Sequence, residues 1–294
     1  MVVLYGIWYT IAAIESTRET RHGGVHLEYR ELGNTGEMVP EIGLGTWRYK
    51  GGPEPLQKGI DLGAYLIDTA EMYKTEDAVG AAIKDRRDKV FLATKVLGSN
   101  LRHDDVLRAA EKSLRLLNDD VIDLYQIHWS DRSVPIAETM GAMEDLVTRG
   151  MVRYIGVSNF SVAEMQDAQQ VMTNNPIVSN QVLYNLKRRD IEYDLIPYCV
   201  DNDVTIIAYT PLADGSLSGE SRYRPDKGGL VLMRVAEEVG KTAAQVALNW
   251  CLSRPNVIVI PKTNSVARTV ENCEASGWLL TAEQVAVLDE AFPL

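Results

Sequence analysis

Eight short apolar runs, each followed by a longer and more polar stretch, recur along the chain and limit its possible folds. They recur roughly every 20–35 residues until a longer last interval, a spacing typical of a parallel sheet with crossover helices. The runs are continuous, as expected for strands buried on both faces. They are Ile42–Gly45, Tyr65–Asp68, Val90–Thr94, Leu124–His128, Tyr154–Ser158, Val178–Val182, Thr205–Tyr209 and Val257–Ile260. Eight such strands in sequence predict a closed barrel.

The stretches after most of these runs have the periodicity of amphipathic helices. They are Thr75–Arg86, Asp104–Leu117, Ile136–Arg149, Val162–Met172, Leu230–Val239, Thr242–Ser253, Ser265–Glu274 and a last one, Ala282–Ala291. Residues of the N-cap type stand at four of the expected helix starts: Asp104, Ser161, Thr242 and Ser265.

Two segments between the predicted elements have turn or loop composition. Before the first run, Leu27–Leu32 and Glu37–Pro40 flank Gly33-Asn34-Thr35-Gly36, which predicts a β-hairpin. Between the seventh and eighth runs, the segment from Pro211 to Gly229 is rich in Gly, Ser, Pro and charge, which predicts a mobile loop.

Composition excludes several function classes. The 294 residues carry a formal charge of −11, which disfavours binding to nucleic-acid backbones or anionic membranes. Three cysteines without CxxC spacing indicate a reduced cytoplasmic protein, and with only four histidines they form no zinc pattern. The apolar start, Met1 to Ile14, is too short to span a membrane and lacks the basic start of a secretory signal. We expect residues 1–26 to be an extension and residues 27–294 to form one domain.

Four side chains suited to proton transfer stand at or after the ends of three runs: Asp68, Tyr73, Lys95 and His128. If the runs are neighbouring parallel strands, all four side chains gather at one end of the barrel, where active sites of such barrels lie. A tyrosine has a pKa of about 10, and a nearby lysine lowers it by favouring the phenolate. An aspartate keeps that lysine charged and oriented, and a neutral histidine can hydrogen-bond a substrate oxygen. This group could protonate a carbonyl oxygen while another agent delivers hydride. Each residue alone is more often structural; together they favour a site.

Six ordered motifs carry a family resemblance. They are Gly43-Leu44-Gly45-Thr46-Trp47, Leu66-Ile67-Asp68-Thr69-Ala70-Glu71-Met72-Tyr73, Ala93-Thr94-Lys95, Asp123-Leu124-Tyr125-Gln126-Ile127-His128-Trp129, Ile155-Gly156-Val157-Ser158-Asn159-Phe160 and Ile260-Pro261-Lys262-Thr263-Asn264. From residue 27 onward the chain resembles the aldo-keto reductases. The resemblance implies a (β/α)8 TIM barrel with an N-terminal hairpin closing its floor, and reduction of carbonyl compounds with NADPH. It also implies that Asp68, Tyr73, Lys95 and His128 are the catalytic tetrad, with Tyr73 as the acid.

The resemblance also implies a set of cofactor contacts. By resemblance, Ser158, Asn159 and Gln181 would hold the carboxamide of nicotinamide. Asn and Gln side chains suit this role because they supply both the donors and the acceptors that a carboxamide requires. Tyr209 would stack under the ring, while Thr210 and Leu212 would contact the pyrophosphate. Lys262, Thr263 and Arg268 would meet the 2′-phosphate near a helix start, with Glu271 and Asn272 near the adenine. Capping, core packing or a solvated helix start are the plain alternatives. NADPH would be preferred, with NADH possible but weaker.

Trp47, Met72 and Trp129 are candidate walls of the substrate pocket, although core packing explains them nearly as well. The short loop after His128 and the short C-terminal tail favour an open pocket. Small aldehydes, dicarbonyls or open-chain sugars would fit such a site.

Other functions are weighed against this one. A Rossmann dehydrogenase requires GxGxxG, but Arg48 stands where the third glycine would follow Gly43 and Gly45. The Tyr-x-x-x-Lys spacing of short-chain dehydrogenases occurs only at Tyr223 and Lys227, in the predicted loop and around Pro225. A regulatory subunit that binds the cofactor without turnover, as in the related potassium-channel beta subunits, remains open, as does a phosphate-sugar isomerase.

Overall fold

The computed structural model describes residues 24–219 and 225–294, and its first element is the predicted hairpin. Strand β1 (Tyr29–Glu31) pairs antiparallel with β2 (Met38–Pro40). Gly33 in the turn has a φ of +57° and its N–H donates to Thr205 Oγ1 at 2.8 Å, while a Cβ there would lie 3.0 Å from the Asp203 carbonyl. Because Thr205 begins a barrel strand, the hairpin covers the end of the barrel where strands start, as predicted.

Eight parallel strands follow and form one sheet whose neighbours are consecutive in sequence. They are β3 (Leu44–Gly45), β4 (Leu66–Asp68), β5 (Phe91–Val96), β6 (Ile122–Ile127), β7 (Val152–Ser158), β8 (Ile177–Leu183), β9 (Thr205–Tyr209) and β10 (Val257–Val259). A parallel bridge between Ile42 and Val259 joins the two edges, and Gly43 N–H donates to the Val259 carbonyl at 2.8 Å. The predicted (β/α)8 barrel is therefore confirmed.

The barrel interior changes from apolar to polar along the strands. Its lower part is a cluster of buried apolar side chains that includes Leu66, Phe91 and Leu124. Side chains alternate along a strand, so residues an even number of positions further on point to the same interior. The buried polar residues Asp68, Lys95 and Gln126 occupy such positions. Strand periodicity thus delivers the polar side chains to the upper end of the barrel.

Ten helices occur in the described parts of the chain. They are α1 (Glu54–Asp61), α2 (Glu76–Ile83), α3 (His103–Leu117), α4 (Ile136–Thr148), α5 (Val162–Val171), α6 (Leu195–Asp201), α7 (Lys227–Val239), α8 (Ala243–Leu252), α9 (Val266–Cys273) and α10 (Ala282–Ala291). The sequence did not predict α1 and α6, whose first turns contain Pro55 and Pro197. Proline is tolerated there because the first amides of a helix lack intrahelical partners.

The helix starts correct one predicted cap. Helix α3 begins one residue earlier than predicted, its N-cap is Arg102, and Asp104 lies in its first turn. Ser161 and Thr242 are N-caps of α5 and α8, as the sequence suggested, and each forms a full capping box. Ser265 is the N-cap of α9 but makes no side-chain cap hydrogen bond.

The described parts of the long segment after β9 contain a turn and the start of a helix. Ala213–Gly215 forms a 3₁₀ turn, and α7 already begins at Lys227. Asp226 caps α7 by accepting from Gly229 N–H at 2.7 Å, which offsets the weak helix propensity of two glycines.

Two parts of the chain lie outside the described residues: 1–23, which is most of the predicted extension, and 220–224, within the predicted loop. The proposed division at residue 27 stays a prediction. Within residues 24–219 and 225–294, no helix is long and apolar enough to cross a membrane.

Candidate active site

The four residues singled out in the sequence lie together at the upper end of the barrel. Asp68 ends β4, Lys95 lies near the end of β5, and His128 directly follows β6. A short 3₁₀ turn, Glu71–Tyr73, carries the tyrosine back over the strand ends. Lys95 Nζ lies 2.7 and 2.9 Å from the two carboxylate oxygens of Asp68 and 3.4 Å from Tyr73 Oη. The Tyr73 and His128 rings meet edge to face at 5.5 Å between centroids.

Burial governs the acidity of Tyr73. Desolvation raises the Tyr73 pKa above its ordinary value, the Lys95 charge opposes this rise, and the Asp68 charge adds to it. The expectation that Lys95 lowers the pKa therefore holds for its own contribution only. The net lowering expected from the sequence is wrong for this structure, because the sequence did not reveal how deeply the phenol is buried.

The protonation states of Lys95 and His128 agree with the chemistry anticipated for them. Burial alone would lower the pKa of Lys95, but the Asp68 carboxylate outweighs it and the pKa is raised, so the ammonium stays charged. Burial, together with the Lys95 charge, lowers the pKa of His128 to about 3. The imidazole is consequently neutral at pH 7 and can offer one N–H to an oxygen.

One cavity of about 630 Å³ extends from this group across the barrel top, within the size range of cofactor sites. Lys95 does not line it and contacts the lining residues Asp68 and Tyr73. Every other residue proposed from the sequence does line it: Trp47, Asp68, Met72, Tyr73, His128, Trp129, Ser158, Asn159, Gln181, Tyr209, Thr210, Leu212, Lys262, Thr263, Arg268, Glu271 and Asn272.

The residues proposed to hold a carboxamide form one hydrogen-bonded group with the tetrad. Ser158 Oγ donates to the Gln181 carbonyl at 2.8 Å, and Asn159 Nδ2 donates to the His128 carbonyl at 3.1 Å. Tyr209 OH donates to Asn159 Oδ1 at 2.9 Å, which fixes the ring beside the cavity. Gln181 Nε2 donates to Asp68 Oδ2 at 2.7 Å, so its amide already faces the carboxylate. The sequence did not reveal this link.

Positive charge collects at the other end of the cavity, where β10 leads into α9. The pKa of Lys262 is lowered, first by burial and then by the nearby charges of Lys50 and Arg48. The sequence singled out Lys262 and Arg268 as the cations here and did not reveal two more. Arg48 and Lys50 join from the segment after β3, brought near because β3 and β10 are neighbours in the closed barrel.

Aromatic rings frame the tetrad at the mouth of the cavity. The Trp47 ring lies 4.9 Å from that of Tyr73, and the Trp129 ring stacks on His128 at 4.0 Å with an interplanar angle of 13°. Both tryptophans are 42% exposed, so they are not simply core residues. They leave large apolar surfaces beside the Tyr73 and His128 side chains.

Sequence reasoning missed the polar residues that support the site from below and behind. Thr46 Oγ1 donates to the Asp68 carbonyl at 2.9 Å, and Thr75 Oγ1 lies within hydrogen-bonding distance of both Thr46 and Thr69. Gln126 Nε2 reaches Asp68 Oδ2 at 3.4 Å. A polar residue inside an otherwise apolar strand was the available signal for Gln126; the threonines gave none.

The chemistry of this cavity fits a dinucleotide phosphate. Tetrad and amide groups lie at one end, an aromatic ring lies between, and Lys262 has no acidic partner among the described residues at the other end. The backbone is unusual at the two turns that face the cavity, where Asn159 and Thr210 have φ values of +60° and +53°. No group of three or more potential metal ligands occurs among the residues that the structure describes.

The chain is similar to several known proteins. The family model described as "Aldo/keto reductase family" matches residues 41–292. Methylglyoxal reductase YeaE of Escherichia coli is 40% identical over 87% of this chain and 92% of its own. Glyoxal reductase of Bacillus subtilis is 33% identical over 87% of this chain and 90% of its own. The crystal structure of an aldo-keto reductase from Klebsiella pneumoniae in complex with NADPH superposes with a TM-score of 0.80 at 38% identity, covering 87% of this chain and 92% of that one.

Proposed function

The chain belongs to the aldo/keto reductase family, and we propose that it reduces small aldehydes and dicarbonyls to alcohols with NADPH, using Tyr73 as the proton donor. It is an NAD(P)H-dependent oxidoreductase. The observation that carries the proposal is the position of Lys95 Nζ between Asp68 and Tyr73 at the head of a cavity whose far end is cationic.

Each residue of the tetrad has its own role in the proposed reaction. When bound, NADPH supplies the hydride that goes to the carbonyl carbon. Tyr73 donates its phenolic proton to the carbonyl oxygen, and Lys95 stabilises the phenolate that remains. His128, neutral because of its burial, donates a hydrogen bond to the same oxygen and orients the substrate. Asp68 keeps Lys95 charged and holds it in place.

The cofactor is held by residues along the whole cavity. Ser158, Asn159 and Gln181 would bind the carboxamide and Tyr209 would pack against the ring, while Thr210 and Leu212 would contact the pyrophosphate. Lys262, Thr263 and Arg268 would bind the 2′-phosphate, and Glu271 and Asn272 would lie near the adenine. Relatives solved with NADP or NADPH support this cofactor.

Small dicarbonyls are the substrates that the site and the relatives favour together. Trp47 and Trp129 offer flat apolar walls on either side of Tyr73 and His128. Such walls suit a compact substrate with two adjacent carbonyl groups. The relatives named methylglyoxal reductase and glyoxal reductase support this class.

Steady-state oxidation of NADPH with methylglyoxal, glyoxal and glyceraldehyde tests the proposal. We expect kcat/KM to be highest for the two dicarbonyls, and NADPH to be used better than NADH. Stoichiometric NADPH binding without oxidation by any of the three carbonyls would instead identify a cofactor-binding regulatory subunit. Absence of NADPH binding would contradict both functions.

A further inference from the structure

Gln126 lies at the centre of the site without reaching the cavity. In the parallel register it stands directly beside Lys95, and it is fully buried inside the barrel. Its Nε2 donates to Asp68 Oδ2 at 3.4 Å. Its Oε1 has no hydrogen-bond partner among the described residues, and Gln126 does not line the cavity. Its polar contact in the described structure is therefore with Asp68.

The hydrogen bonds around Lys95 are limited by its protons. An ammonium has three N–H donors. Four acceptors lie within reach of Lys95 Nζ: both Asp68 carboxylate oxygens at 2.7 and 2.9 Å, the Thr69 carbonyl at 2.8 Å and Tyr73 Oη at 3.4 Å. These acceptors compete, and Tyr73 is the most distant of them. A neutral donor that satisfies one carboxylate oxygen leaves a Lys95 proton for Tyr73.

Two side-chain amides can donate to Asp68 Oδ2, but only that of Gln126 has no second proposed role in the cavity. Gln181 donates at 2.7 Å and lines the cavity, where we propose that it also binds the carboxamide of the cofactor. Gln126 is shielded from the cavity and cannot be drawn to a ligand there. When Gln181 turns to the cofactor, Gln126 is the neutral donor that stays with Asp68.

We infer that Gln126 is a positioning residue for the reaction, which holds the Asp68 carboxylate from below so that Lys95 keeps a proton directed at Tyr73. This inference rests on the proposed role of Tyr73 as the acid. It gives Gln126 a function that does not require contact with substrate or cofactor.

Packing alone does not explain an amide at this position. A buried acceptor without a partner is unfavourable, and an apolar side chain of similar length would fill the same space. The space is tight, since a Cβ on the neighbouring Gly156 would lie 3.0 Å from Gln126 Cγ. Methionine matches glutamine in length and removes both polar groups. Gln126→Met should therefore leave stability unchanged or higher, whereas a positioning role requires catalysis to fall.

The first test compares Gln126→Met with a matched control, Ser179→Ala. Ser179 flanks Gly156 on the other side, is equally buried, and also has an unpartnered polar atom, but it has no contact with Asp68. We expect Gln126→Met to lower kcat about 3- to 10-fold, the effect of one neutral hydrogen bond, with unchanged KM for NADPH and a Tm no lower than wild type. Ser179→Ala should keep the wild-type kcat. A fall in kcat that accompanies a lower Tm, or equal effects of the two substitutions, would overturn the inference.

The second test requires no turnover. Phenolate absorbance is titrated in the wild type and in Gln126→Met, each minus its own Tyr73→Phe counterpart. The titratable groups facing Tyr73 are Lys95, Asp68, His128 and Tyr209. All four are unchanged, so we expect the Tyr73 pKa to be higher in Gln126→Met because Lys95 turns back to Asp68. An unmoved pKa would show that Gln126 does not direct Lys95. The result stands whether or not the dicarbonyl substrates are correct.

Discussion

Two clusters of charged side chains in the described structure differ in what their charges face. In the site, Lys95 and Asp68 are 0% and 3% exposed at the side chain and lie beside a cavity. The second cluster joins the ends of β8 and α8 to α10, and we call it the C-terminal clasp. It consists of Tyr184, Arg189, Glu192, Trp250, Arg254 and Asp289.

In the C-terminal clasp, each charge meets an opposite charge within the cluster. Arg189 Nη2 lies 2.8 Å from Glu192 Oε2, and Arg254 Nη2 lies 2.7 Å from Asp289 Oδ1. Both guanidinium groups also lie over the Trp250 ring, at 5.3 and 4.6 Å from its centroid. Two arginines and two carboxylates therefore neutralise one another around an indole.

We interpret the difference as one between charge that stabilises the fold and charge that takes part in the proposed reaction. The clasp satisfies its own groups and fixes α10 against the barrel. The site leaves His128 Nδ1 and Gln126 Oε1 without partners among the described residues, and its ammonium has more acceptors than protons. We therefore expect substitutions in the site to affect turnover, and substitutions in the clasp to affect stability.

Tyr73→Phe should show the largest difference between the site and the clasp, because it should reduce turnover without reducing stability. It removes the proposed proton donor and keeps the ring, so kcat should fall at least about 10²-fold, the usual scale of general acid catalysis. NADPH affinity and Tm should stay near wild type, because the hydroxyl's only contact in the tetrad is with Lys95, at 3.4 Å. Turnover close to wild type in this variant would refute the role of Tyr73.

Arg254→Ala should have the opposite profile. Its removal leaves Asp289 and Glu192 with one cation fewer in a mostly buried cluster, so the free energy of unfolding should fall by about 2–4 kcal/mol. The kcat of the folded enzyme should not change. The matched control is Arg234→Ala, whose pairing with Glu238 is well exposed on α7 and should be worth less than about 0.5 kcal/mol. Equal denaturation midpoints for the two variants would contradict a stabilising clasp.

The sequence predicted the site but not the clasp, because the two regions leave different patterns in the sequence. The barrel and the site were predictable because parallel strands bring their carboxyl ends together, so the ends of separate apolar runs revealed Asp68, Lys95 and His128. The clasp was not predictable, because Arg189, Arg254 and Asp289 lie in loops and helices, where charged residues are common and give no signal. The sequence also did not reveal that Arg48 lies near Lys262, because the first and last barrel strands become neighbours only when the barrel closes.

Arg268→Ala tests the cationic end of the cavity. A charged hydrogen bond is worth roughly 1.5–3 kcal/mol, so the preference for NADPH over NADH should fall about 10- to 100-fold. Dissociation constants for both cofactors measure this, with Arg234→Ala as a control for loss of one positive charge elsewhere. Equal weakening of NADPH and NADH would mean that Arg268 supports the fold and does not bind the 2′-phosphate. A smaller fall in the preference for NADPH would mean that Arg48 and Lys50 also bind the 2′-phosphate.

The smallest effect concerns pH, where the two clusters respond in different ranges. His128 has a folded pKa of about 3, against about 6.5 for an unfolded histidine. As pH falls below 6.5, the unfolded chain takes up a proton that the folded chain refuses, so stability decreases. The loss from this group is on the order of 1 kcal/mol between pH 6.5 and 5.5.

In the clasp, Glu192 responds only in more acidic solution. Burial opposes its ionisation, but hydrogen bonds from Arg189 and Tyr184 hold its pKa below the ordinary value of 4.5. The stability it contributes is complete above that value and is lost as pH falls through the lowered pKa. Denaturation of wild type and His128→Gln between pH 7 and 5 therefore isolates the imidazole. We expect the stability difference between the two proteins to shift in favour of His128→Gln as pH falls. A difference that is flat with pH would mean that His128 keeps an ordinary pKa in the folded site, and could then be charged when substrate binds.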